Sequence, residues 1–118
     1  MAFRAAREPW GPRAISSIER QINTKPPVTT VTASRTIKAD AGFLLVDATA
    51  GAVTITLPPA REAIGFVITV LKTDAGGNAV TIDGSGAETI NGAATKSTTT
   101  QWAGWAITSN GAAWFVSP

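Results

Sequence analysis

Apolar and polar residues alternate one for one from Val53 to Leu57, with Val53, Ile55 and Leu57 on one side and Thr54 and Thr56 on the other. A period of two marks a strand with one buried and one wet face. Pro58-Pro59 ends it, because proline has no N–H to offer a sheet ladder. A second run, Phe66 to Leu71, is almost wholly apolar and predicts a strand covered on both faces. Thr-rich Val28 to Lys38, then Phe43 to Val46, Ala79 to Asp83, Glu88 to Ile90, Lys96 to Ile107 and Ala113 to Val116 read as further short strands. Turns are expected at Asp40-Ala41-Gly42, Ala48 to Gly51, Thr73 to Asn78, Asn91-Gly92 and Asn110-Gly111, with a single helical turn at Arg61-Glu62-Ala63. Ala79-Val80-Thr81-Ile82 repeats Ala52-Val53-Thr54-Ile55, which points to two strands of similar exposure rather than to duplication.

These signals predict a mainly β fold, a compact antiparallel β-sandwich or barrel, preceded by an extended arm and one short helix. Residues 1–27 form the expected N-terminal attachment arm, and residues 28–118 the β domain. Pro9 and Pro12 bracket Trp10-Gly11 and favour an extended path. Phe3 and Trp10, among Arg4, Arg7 and Arg13, either fold back on the domain, hang as a tail, or anchor the arm to a partner. The last reading is preferred, since disordered tails are poor in aromatics. A helix over about 14–23 would put Ile15, Ile18 and Ile22 on one stripe. So short a helix needs packing partners, and contacts between copies of the chain are the expected use.

At 118 residues the chain has room for one domain. It holds no cysteine and no histidine, so disulfides, Cys/His zinc sites, thiol nucleophiles and Ser-His-Asp triads are excluded. Neither a cofactor nor a metal is expected, and no enzymatic activity. Charge is uneven: residues 1–38 carry seven basic groups against two acidic ones, and residues 39–118 three against six. The basic groups of the leader are diluted by Glu8, Glu19 and apolar residues, which suits an acidic protein surface better than nucleic acid. The longest apolar run is too short to cross a bilayer and the first twenty residues lack an apolar signal core, so synthesis in a cytoplasm without membrane association is expected.

Few residues suggest chemistry. Asp83 and Glu88 read as solvent-exposed turn carboxylates rather than an acid–base pair. Asp74, Asn78 and Asp83 match no calcium-loop spacing, and Gly76-Gly77 and Gly84-Ser85-Gly86 lack the strand–loop–helix setting of a phosphate cradle. Trp102, Trp105 and Trp114 read as core or interface aromatics, with a glycan-stacking platform as the alternative.

Ala52-Val53-Thr54-Ile55-Thr56-Leu57-Pro58-Pro59-Ala60, Gly65 to Val70, Ala79 to Asp83, Glu88-Thr89-Ile90-Asn91-Gly92 and Ser109 to Trp114 follow one another in an order that resembles small β modules of bacteriophage virion proteins. These modules occur in head fibres, capsid decoration proteins and tail-fibre segments. The resemblance covers the last 70 residues or so, and the leader does not share it. It implies a virion structural role as a homo-oligomer, commonly a homotrimer, attached through an N-terminal segment to the major capsid protein or another virion protein. On this reading Phe3, Arg4, Arg7, Trp10 and Arg13 attach the particle, while Ile15, Ile18 and Ile22 hold subunits together. A tail or baseplate module binding host surface glycan is the rival, and a glycan-acting enzyme a weaker one.

Overall fold

A computed structural model describes residues 27–117. The expected arm and the helix over 14–23 lie outside these described residues. Strands β1 (Val28–Val31), β2 (Arg35–Thr36), β3 (Phe43–Val46), β4 (Val53–Thr56), β5 (Ile68–Lys72), β6 (Val80–Asp83), β7 (Thr95–Thr98), β8 (Gly104–Ser109) and β9 (Trp114–Val116) follow in order. A 3-10 turn at Ala60–Glu62 stands where the single helical turn is expected. Five strands form one sheet in the order β1-β3-β5-β8-β9, and four form another in the order β2-β4-β6-β7.

The chain winds between the two sheets. β1, β3 and β5 lie parallel in the first, and β2, β4 and β6 parallel in the second. Only β7, β8 and β9 run antiparallel to their neighbours. The fold is mainly β as expected, but its sheets are mixed and do not close into a barrel. The antiparallel expectation fails because a period of two records which face is buried and says nothing of the partner strand's direction.

Winding stacks like on like. The repeated Ala-Val-Thr-Ile segments are neighbours in register, with Val53 beside Val80, Thr54 beside Thr81 and Ile55 beside Ile82. Leu44 stands between Thr29 and Val70, and Val46 between Val31 and Lys72. The core is this set of inward ladders: Val31, Leu44, Val46, Val53, Ile55, Ile68, Val70, Val80, Ile82 and Ile107, closed by Ile90 and Trp114. Burying each such side chain contributes about 1.5–3 kcal/mol, which is how a 12.1 kDa chain without disulfides assembles an interior.

Two turns fix the path. Asn91 and Gly92 have φ of 50° and 84°, the pair of positive values that a tight hairpin turn demands, and Ile90 and Ala93 bond across it. The Asn91 side chain then donates to the Val116 carbonyl at 2.9 Å and accepts from the Val116 N–H at 3.0 Å, fastening the turn to β9. Gly42, with φ 74°, leaves room for Pro27: a Cβ there would lie 2.5 Å from the Pro27 oxygen. That oxygen accepts the Phe43 N–H at 2.9 Å, so the chain enters the described fold against β3.

The run from Phe66 to Leu71 is not covered on both faces. Val67 and Phe66 precede the strand and are 56% and 43% exposed, and within β5 only Ile68, Val70 and Lys72 point inward.

Candidate functional site

Lys72 occupies an inward slot of β5 and is fully buried. Its Nζ lies 2.7 Å from Asp74 Oδ2 and donates to the Asp74 carbonyl at 3.2 Å. Asp74 also accepts the Ala48 N–H at 2.8 Å and the Gly76 N–H at 3.0 Å. The Lys72 ammonium, with the Ala48 N–H second, holds the Asp74 carboxyl down at about 2 from its ordinary 3.8. Around the pair, the Asn78 amide donates to the Ala48 carbonyl at 2.8 Å and Gln101 to the Thr73 carbonyl at 3.0 Å. Asp47 is held below its usual value by the Thr49 hydroxyl and then by the Thr49 N–H. With its cation enclosed and matched, this cluster stitches the β3–β4, β5–β6 and β7–β8 loops together and offers no nucleophile to a substrate. Both Asp74 carboxylate oxygens and the Asn78 amide nitrogen are thus bonded within the fold.

Glu88 is a correction. It is half-buried rather than solvated: its carboxylate accepts the Ala60 N–H at 3.0 Å and the Trp114 indole N–H at 3.3 Å. Ser109 donates to the Ala60 carbonyl at 2.6 Å, so the 3-10 turn is clamped against the β8–β9 hairpin. Asp83 sits on an outward position of β6 opposite Thr95, with no role shared with Glu88.

The tryptophans separate. Trp114 is fully buried in the core, and Trp105 is half-buried against it. Trp102 is 65% exposed on the β7–β8 turn, with a φ of 68° that a bulky residue seldom adopts. Trp114 and Trp105 thus pack in or against the core, and Trp102 is the exposed tryptophan among the described residues. Phe3, Arg4, Arg7, Trp10, Arg13, Ile15, Ile18 and Ile22 lie outside the described residues.

The two sheets present opposite outer faces. On the five-stranded sheet the outward rows read Val28–Phe43–Thr69–Ala106 and Thr30–Leu45–Leu71–Gly104, with Thr108 and Phe115 paired beyond. None of these positions carries a charge. On the four-stranded sheet the rows read Thr36–Thr56–Asp83–Thr95 and Thr54–Thr81–Ser97, and the Thr81 and Ser97 hydroxyls bond at 2.8 Å. The apolar face escaped the sequence reading, although Phe43, Leu45 and Leu71 at alternate positions of two strands are its signal.

Compared with known proteins, the chain matches no family model and no curated relative. Among the described residues no helix is long and apolar enough to cross a membrane. Nor do three or more carboxylates gather among them. What the described residues do set apart is the charge-free outer face of the larger sheet.

Proposed function

We propose that the chain is a structural protein of a bacteriophage particle, a capsid decoration protein or short head fibre. Its residues Phe3, Arg4, Arg7, Trp10 and Arg13 dock to the particle, and its coil projects. Copies associate through the outer face of the five-stranded sheet, and three is the number that the resemblance implies.

One observation supports the association of copies: five neighbouring strands turn outward a face without a charge, on which Val28, Phe43, Leu45, Leu71, Ala106 and Phe115 stand among three threonines. Contiguous apolar surface of this kind is uncommon on monomers and marks contact sites. Its relief favours a second copy of the same chain. Bulky Phe43, Leu45 and Leu71 stand beside the low ground of Ala106 and Gly104, so a rotated copy sets raised ground against low. Sedimentation of the full-length protein tests it. Leu45→Lys with Leu71→Glu should release monomers, and an unchanged oligomer, or a monomeric wild type, refutes the association. Deleting residues 1–13 should abolish co-sedimentation with capsids while leaving the oligomer intact.

The rival reading, a tail module binding host glycan, draws on Trp102 alone. An exposed indole held on a strained turn is a stacking surface for a sugar ring. A Trp102→Ala variant that loses binding to host cell wall would favour it.

A further inference from the structure

The winding coil has two ends, and they are finished differently. At one end the edge strands β9 and β7 run antiparallel to β8 and β6, and Ile90 and Trp114 close the interior. At the other end β1 and β2 are edge strands with no described neighbour beyond them. Edge strands present unpaired N–H and C=O groups, and stacked repeats need an end piece to shield the last interior layer.

The interior ladders lose their aliphatic character at that open end, as the smaller sheet's ladder also does at its other edge, where Lys96 stands beside Ile82. In the first sheet the inward series Val70, Leu44 finishes on Thr29, and in the second the series Ile82, Ile55 finishes on Arg35. Between these positions lies a cleft of about 300 Å³, with Ile37, Ala41 and Leu44 among its walls. Pro27 lines the same cleft, so the chain arrives there from residues 1–26.

We propose that the isoleucine stripe Ile15, Ile18 and Ile22 of the same chain seats in this cleft and forms the missing end piece. Reach limits the choices. Ile22 lies five Cα steps before Pro27, a span of at most about 18 Å, and Pro26-Pro27 is a stiff start. The two sheets are about 10 Å apart, so the stripe necessarily begins close to the opening. Branched aliphatic side chains extend the Leu44 and Ile55 layers by one more course. Glu19, on the flank of the stripe, meets the basic rim of Arg35 and Lys38. The stripe thus acts within one subunit instead of between subunits, and this inference rests on the coil alone, not on the proposed particle role.

The chain has no cysteine, which makes the test direct. In the full-length protein, Ile18→Cys is combined either with Ala41→Cys in the cleft or with Ala106→Cys on the apolar outer face, and both are oxidised. The Ile18→Cys/Ala41→Cys protein should close an intramolecular disulfide about tenfold faster than the other pair, as a held contact raises the effective concentration. A covalent dimer, faster closure to position 106, or no closure at either position overturns the proposal. A second measurement guards against a distorted double variant. With Ile15→Asp, Ile18→Asp and Ile22→Asp together, amide exchange in β1 and β2 should rise about tenfold while β5 and β6 stay protected. Unchanged exchange in β1 and β2 also overturns it.

Discussion

The outer faces of the two sheets are written in the same alternating code, yet one reads as apolar and the other as a lawn of hydroxyls. In β4 and β6 the outward residues are Thr54, Thr56, Thr81 and Asp83; in β3 and β5 they are Phe43, Leu45, Thr69 and Leu71. The inward residues of β3, β4, β5 and β6 are aliphatic and buried in both sheets, apart from Lys72. The interior therefore stabilises the coil without distinguishing its faces, and the outward half of each strand decides what the molecule can touch. Threonine suits the wet face, being β-branched enough to favour a strand and polar enough to stay in water.

The largest effect expected follows from putting a charge on each face in turn. Leu71→Lys should abolish self-association in a sedimentation experiment, whereas Thr54→Lys should leave it intact and change unfolding free energy by no more than about 0.5 kcal/mol. Equal behaviour of the two variants would erase the distinction. Next comes Gly104, on the apolar face, where an added Cβ would lie 1.9 Å from the Val70 carbonyl oxygen. Gly104→Ala forces β8 away from β5 and should cost about 1–3 kcal/mol in a urea titration. A cost within error of zero would mean that β8 has freedom that the close approach denies it.

A third prediction concerns the loops that both sheets share. Asp74 is held at about 2 in the folded chain against an ordinary 3.8. Its contribution is thus complete above about pH 4 and drains away as pH falls toward 2. The urea midpoint of the wild type should drop across that window, and Lys72→Met, which removes the main cause of the depressed value, should flatten the drop. An equally steep acid limb in the variant would assign it to other carboxylates. Smallest is Thr81→Val on the hydroxyl face. It removes the bond to Ser97, worth about 0.5–1.5 kcal/mol at most in this half-exposed setting. A greater loss in thermal unfolding would show that the hydroxyl rows carry stability that the interior does not.

How much of this was readable beforehand depends on the range of the interaction. Strand positions and the turn at Asn91-Gly92 are local matters of side-chain period and backbone sterics, and the sequence displays both. The parallel register of β4 and β6 is not local: Val53 meets Val80 because the chain crosses to the other sheet and back between them. The matching Ala-Val-Thr-Ile segments carried that information, and similar exposure was a sufficient account of them until their adjacency was seen. Phe66 to Leu71 misled for a different reason. A nearly continuous apolar run is produced equally by a strand covered on both sides and by a half-covered strand entered through exposed apolar residues such as Phe66 and Val67. Lys72 was visible as the last residue of an inward series followed two positions later by Asp74, a pairing that makes a buried ammonium tolerable. Glu88 gave no such signal, since its partners at Ala60 and Trp114 are far along the chain.

The register of the two Ala-Val-Thr-Ile segments also sets a unit of growth. Residues 53–79 make one circuit, leaving the smaller sheet at β4, crossing the larger at β5 and returning beside the starting point. A tandem copy of that circuit would lengthen the molecule by about 4.8 Å and leave both ends as they are. Protein height is then adjustable in whole increments, like storeys added to a spiral stair, with the ground floor and the roof unaltered.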